Sequence, residues 1–279
     1  VHTVLTIAGS DSGAGAGIQA DLKAISATGG YGLTVLVAIT AQNTRGVAAA
    51  FPLPTDLITA QFEAVVEDFP IGAVKTGMLA DEERTRLVAS LIRDHGMRNV
   101  VVDPVMISKS GHSLLDAGAM TALREELLPL ATVVTPNVHE AEFLSGLKIH
   151  GPDDAVRAGQ RILELGPAAV LMKGGHFEES PATDVLVTRE GTTTFPGTYI
   201  ESRNLHGTGC TFSAAIASYL AAGSKLVEAI ERAKRYITGA IRHGPPLGGG
   251  ARPTDHFFYL RAAVATRAEE FVVSGVEVR

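Results

Sequence analysis

"GAVKTGMLADEERTRLVASLIRDHGMRNVVVDPV", residues 72–105, decides the fold. Its first part, "GAVKTG" (72–77), is a short, mostly apolar run bounded by glycines and reads as a buried strand. "DEERTRLVASLIRDHG" (81–96) opens with acidic residues and closes on a glycine, the polarity and stop signal of a helix. "NVVVDPV" (99–105) is a second β-branched run. A strand, a helix and a strand in that order make a crossover unit, which joins parallel strands.

The same alternation extends both ways. Upstream, "HTVLTIAG" (2–9) predicts a strand, followed by Ile18, Leu22 and Ile25 at helical spacing. "TVLVAIT" (34–40) predicts another strand, and "PTDLITAQFEAVVEDF" (54–69) a helix with Thr55 as its N-cap. Downstream come a helix over 117–129, a strand over 132–137, a helix over 153–166 and a strand over 168–175. The repeat predicts an α/β fold: a mostly parallel sheet with helices on both faces. From 183 to 200 the pattern becomes a hairpin joined at Gly191, and two helices follow. In the second, Leu226, Ile230, Ile237 and Ile241 share a face. Residues 1–260 are expected to form one domain, and "RAAVATRAEEFVVSGVEVR" (261–279) fits none of the α/β units.

Composition narrows the function. Among 279 residues, 46% are hydrophobic, only 5% aromatic and none Trp, so the core is built from aliphatic side chains. A net charge of −6 argues against a general nucleic-acid binder, which needs clustered Lys and Arg. A single Cys excludes an internal disulfide and suits a reducing compartment. "VHTVLTIAGSDSG" shows no basic region followed by a long apolar run, and no stretch reaches the ~18 apolar residues of a membrane span. A soluble, cytoplasmic protein is expected.

Glycine loops carry the chemistry. "GSDSGAGAGIQAD" (9–21) joins a strand to a helix, and such a turn can offer backbone N–H groups to a phosphate. A dinucleotide fingerprint is excluded, because its third glycine position holds Ile18 and the next strand ends "AIT" without an acid. The pattern GxxxxGK[ST] does not occur. A plain tight turn fits this stretch equally well. "HGTGC" (206–210) is a second loop entering a helix: Gly207, Thr208 and Gly209 place helix N-terminal amides before a transferred phosphoryl group, and the helix dipole is expected to lower the thiol pKa of Cys210. A small buried hydrophobe is the alternative for Cys210.

Asp103 ends one strand, and Asn137 and Glu140 follow another; together they suit a Mg²⁺ held partly through water. Taken singly, Asp103 orients a proline turn and Glu140 is a first-turn acid. Lys173 ends an apolar strand and can meet nucleotide phosphates, or face solvent. Gln42 and Met78 also follow strands; an amide can read a heteroaromatic edge and a thioether can pack on its face.

In the same order along residues 3 to 260, "LTIAGSDSGAGAGIQADLKA", "AQNTRGV", "KTGML", "VVDPVM", "TPNVHEAE", "LMKGGH" and "HGTGCTFSAAI" resemble the hydroxymethylpyrimidine/phosphomethylpyrimidine kinases of thiamine biosynthesis, in the ribokinase-like superfamily. The resemblance implies a three-layer α/β/α fold, ATP with Mg²⁺, and a homodimer. It implies two phosphorylations, of 4-amino-5-hydroxymethyl-2-methylpyrimidine and then of its monophosphate. It assigns Gln42, Gly9, Asp21, Met78 and Val105 to the pyrimidine. It assigns Asn137, Glu140, Lys173, Thr188 and Lys234 to ATP, and Asp103 with Glu140 to Mg²⁺. Gly207, Thr208 and Gly209 form the anion hole in this reading, with Cys210 as the base where sugar kinases of the superfamily carry Asp. Ala14 stands where that family usually has glycine. The rivals are a pyridoxal kinase on the same fold, with Gln42 as the discriminating residue, and a non-catalytic nucleotide-binding protein.

Overall fold

The computed structural model describes residues 1–106, 117–174, 182–202 and 206–261. The segment from 262 onward, most of the unassigned tail, lies outside them. The crossover unit over 72–105 folds as read: β4 (Ala73–Thr76), α3 (Glu82–Asp94) and β5 (Val100–Val102), with β4 and β5 parallel. Asp81 caps α3 by accepting from the Arg84 amide at 3.0 Å.

Before it come β1 (Thr3–Asp11), α1 (Gly17–Ala27), β2 (Tyr31–Asn43), β3 (Gly46–Pro52) and α2 (Thr55–Asp68). After it come α4 (Ala117–Ala122), β6 (Val133–Val134), α5 (Val138–Ser145), α6 (Pro152–Leu163) and β7 (Ala169–Met172). The chain then forms β8 (Asp184–Thr188), β9 (Gly191–Phe195), α7 (Thr208–Ala221) and α8 (Leu226–Arg242).

All nine strands join one sheet in the order β3-β2-β1-β4-β5-β6-β7-β8-β9. The middle six, β2 to β7, run parallel. Antiparallel strands finish both edges: β3 on one side, β8 and β9 on the other. Successive strand residues point to opposite faces. Leu5, Val102, Val134 and Met172 enter the core under α2 to α6, whereas Val4, Val101, Val133 and Leu171 enter the core under α1, α7 and α8. The sheet is thus the middle of three layers.

Three expectations change. Thr55 does not cap α2; Pro54 holds the extended cap position and Thr55 is the first helical residue, with no side-chain cap bond. The 117–129 helix is α-helical only to Ala122, then loosens into a π turn over Leu123–Leu127 and tightens to a 3₁₀ turn over Leu128–Leu130. Pro129 has no N–H to continue the ladder. Strand β3 was not foreseen, because "GVAAAF" has little intrinsic strand preference; its register against β2, Ile39 opposite Phe51, holds it in place.

Candidate active site

The chain leaves β1 for β2 on one side and later returns to β4 on the other, so a crevice opens between β1 and β4 at the C-terminal ends of the parallel strands. Ligands of open parallel sheets bind at such a point. Both glycine loops and the acidic cluster converge there.

The first loop, 9–17, is not an open phosphate cradle. Asp11, 2% exposed, turns its carboxylate back into the loop and accepts from the amides of Gly13 (2.8 Å), Gly15 (3.1 Å) and Ala16 (2.8 Å). His206 Nε2 supplies a fourth contact at 2.9 Å. Burial raises the Asp11 pKa, but the bonds from His206, Ala16 and Gly13 outweigh it and hold the carboxyl below its ordinary value. The expected phosphate grip of this loop is therefore replaced by an internal anion. Ala14 adopts φ +58°, the left-handed conformation that glycine takes without cost.

The second loop lies against the first. Gly207, with φ +75°, is the N-cap of α7; a Cβ there would stand 1.7 Å from the Gly15 carbonyl oxygen. The first helical bond is Thr211 N–H to Gly207 O, 2.8 Å, so the amides of Thr208, Gly209 and Cys210 precede the ladder and carry the positive end of the helix. Cys210 is half-buried. Its pKa moves opposite to expectation: burial pushes the thiol up to about 11, against the Lys75 charge. Desolvation of a thiolate outweighs the dipole here.

The acidic cluster sits beside Gly209, whose Cβ position is 3.3 Å from Lys173 Nζ and 3.4 Å from Asp103 Oδ2. Asp103 follows β5 and Lys173 follows β7, and they pair at 2.9 Å. Thr135 also donates to Asp103, at 3.2 Å. Asn137 and Glu140 form a capping box at the start of α5: Glu140 N–H donates to Asn137 Oδ1 (2.9 Å) and Asn137 N–H to Glu140 Oε2 (2.8 Å). Glu140 Oε2 lies 4.0 Å from Lys173 Nζ. Burial raises the Asp103 pKa, but Lys173 and Lys75 pull it below the usual range. Glu140 is pushed up to about 7, by burial first and by the Asp103 charge, against Lys173. Two carboxylates thus share one lysine.

On the other side of the crevice, Met78 packs on Gly9, where a Cβ would meet its methyl at 2.4 Å. Gln42 ends β2, its side-chain oxygen accepting from Thr40 at 3.1 Å. Val105 closes a tight turn after Asp103, its amide donating to the Asp103 carbonyl at 2.8 Å. Asp21 lies beneath the site surface rather than on it. It is fully buried, bonded to Lys75 Nζ (2.9 Å) and Thr6 Oγ1 (2.6 Å), with Oδ1 unpartnered.

Two assigned nucleotide residues stand differently. Thr188 pairs with Ala169 because β8 runs antiparallel to β7, so it lies at the opposite end of the strand from Lys173, roughly 13 Å away at about 3.3 Å per residue. It bonds within its own turn, to the Gly191 carbonyl at 3.1 Å. The structure does not bring Thr188 to the cluster. Lys234 is held by Asp184 (2.6 Å) and the Ala182 carbonyl (2.7 Å); it reaches the rim only through Asp184, which accepts from the Gly174 amide next to Lys173. Sequence reasoning missed Asp11, His206, Lys75 and Asp184. Only Lys75 carried a signal, as a charge inside an otherwise apolar strand.

The family model described as phosphomethylpyrimidine kinase matches residues 11–255. A hydroxymethylpyrimidine/phosphomethylpyrimidine kinase of Streptomyces coelicolor is 46% identical over 92% of this chain and 95% of its own. The thiamine biosynthesis bifunctional protein ThiED of Geobacter sulfurreducens is 50% identical over 91% of this chain, which spans about half (52%) of that protein's length. Among solved structures, a phosphomethylpyrimidine kinase from Clostridium difficile superimposes with a TM-score of 0.78 at 48% identity, covering 86% of this chain and 100% of its own. An ADP complex of Bacillus subtilis pyridoxal kinase gives 0.87 at 41%, covering 93% and 98%. The chain thus belongs to the phosphomethylpyrimidine kinase family of ribokinase-like kinases and is a phosphotransferase.

Proposed function

We propose that this chain, acting as one domain over residues 1–260, phosphorylates 4-amino-5-hydroxymethyl-2-methylpyrimidine with ATP and then phosphorylates the monophosphate to the diphosphate. The observation that carries the reading is the meeting of Cys210, the Gly207–Cys210 amides and the Lys173–Asp103 pair at one sheet edge. The amides stabilise charge on the moving phosphoryl group, and Lys173 meets the nucleotide phosphates. In the first step Cys210 is the base that accepts the hydroxyl proton; burial disfavours its thiolate form and the Lys75 charge favours it. In the second step the acceptor is a phosphomonoester with a second pKa near 6, so it arrives deprotonated.

Among the described residues no group of three His, Cys, Asp or Glu is placed to hold a bare metal ion. Asp103 and Glu140, two carboxylates near one lysine, do fit Mg²⁺ carried on nucleotide phosphates, and they are the residues that would hold it. When bound, Mg²⁺ would supply charge neutralisation at the phosphates. Gln42 reads the aminopyrimidine edge, with Gly9, Met78 and Val105 around the ring. The reading includes a cytoplasmic homodimer; among the described residues no helix is long and apolar enough to cross a membrane.

The test is a coupled ATPase assay with the pyrimidine alcohol, its monophosphate and pyridoxal in parallel. Turnover of both pyrimidines supports the proposal. Turnover of pyridoxal alone would replace it with the activity named for the Bacillus subtilis relative.

A further inference from the structure

The carboxylate of Asp11 is saturated by four donors, and the only one outside its own loop is His206. His206 is 8% exposed, and its amide is tied to the Arg252 carbonyl at 3.0 Å. Its ring lies on the backbone of Gly15, where a Cβ would stand 2.1 Å from Cδ2. The next residue is Gly207, against the Gly15 carbonyl, and the one after begins α7. At its far end the first loop runs into Gly17, the first residue of α1, and α1 packs against α7. One buried contact across 195 positions therefore fixes the first glycine loop to the loop proposed to supply the anion hole.

We propose that Asp11 and His206 are positioning residues for phosphoryl transfer: a clasp that sets the Gly207–Cys210 amides and the Cys210 thiol against each other. Neither touches a reacting atom. Asp11 takes the place that a ligand phosphate would take in an open glycine loop, so this loop is preorganised before any substrate binds. The inference rests on the kinase reading for its kinetic consequence, but not for its structural one.

The experiment uses His206→Leu, which removes the donor, and His206→Gln, whose carboxamide N–H can reach the Nε2 position. With the clasp lost, kcat should fall on the order of 10²-fold in both phosphorylations while KM for ATP stays within about twofold, because misplacement of the reacting groups, not nucleotide binding, is what changes. His206→Gln should recover most of kcat. Asp11→Ala leaves three amides around a carboxylate-sized gap, so formate should restore its kcat saturably. A second readout is independent of turnover. Cys210 is the only thiol in the chain, and its alkylation profile with iodoacetamide should change in His206→Leu, because the loop leading into Cys210 loses its tie to the first loop. A folded His206→Leu protein with unchanged kcat, or with an unchanged alkylation profile, overturns the clasp. So does a folded Asp11→Ala protein indifferent to formate. An inactive wild-type enzyme with a shifted alkylation profile would sink the kinase reading and leave the clasp supported.

Discussion

Cys210 shows how a local rule loses to its surroundings. A thiol in the first turn of a helix should ionise easily, yet burial pushes this one up to about 11. Alkylation of the wild-type protein should therefore accelerate through a midpoint near pH 11; a midpoint near the ordinary 8.5 would show that the dipole wins. Cys210→Ala should lower kcat/KM for the pyrimidine alcohol by about 10²–10⁴-fold, the usual worth of a positioned base, and for the monophosphate only modestly. Equal losses on the two substrates would make the thiol a packing group. Ala14 offers a second test. Its left-handed backbone costs roughly 1–2 kcal/mol, and Ala14→Gly gives back about 0.5–1 kcal/mol through the looser unfolded chain. Urea unfolding should find the variant about 0.5–1 kcal/mol more stable. The type of each site residue could be read from the sequence, but its protonation could not, because that depends on neighbours distant in the chain, for Cys210 on Lys75, Asp21 and Asp103.

Helix α5 carries its function in its first turn. Glu140 serves both the capping box and the Lys173–Asp103 cluster. Its folded pKa of about 7 lies above the ordinary 4.5, so the folded state binds its proton more tightly than the unfolded chain does. Stability should then fall as pH rises from about 4.5 to 7. Glu140→Gln keeps the capping acceptor without the charge; it should remove this slope and raise apo stability at pH 8 by roughly 1–3 kcal/mol, read by urea unfolding at pH 5 and pH 8. An unchanged slope would mean that Glu140 is ionised throughout. Only the first turn of this helix was legible, with Glu140 as a first-turn acid; the role of Asn137 as its cap was not read, because the same amide also suits a metal or a nucleotide. The place of Thr188 was not legible: a run of β-branched residues says strand, but nothing in it says that β8 runs against β7, and that direction puts Thr188 at the far end of the strand from Lys173.

Across the whole molecule, the alternation of strands and helices gave the layers, because period and punctuation are local properties. The contacts that assemble the site are not local. Asp11 meets His206, and Lys75 of β4 meets Asp21 of α1, both fully buried. Lys75→Met strands a buried carboxylate and should cost about 3–5 kcal/mol, whereas Lys75→Met with Asp21→Leu should recover most of it. Chemical denaturation of both variants decides whether the pair is a structural tie across the crevice; a double variant no more stable than the single one would rule that out. The sheet order has a consequence in time. From β5 to β9 each strand pairs with its predecessor in the chain, but α7, which brings the thiol and the proposed anion hole, packs back onto α1, β1, β4 and β5. On a ribosome, then, a growing chain can lay down its whole sheet before Cys210 and the amides that precede it have been made, so the proposed site is completed only when α7 emerges.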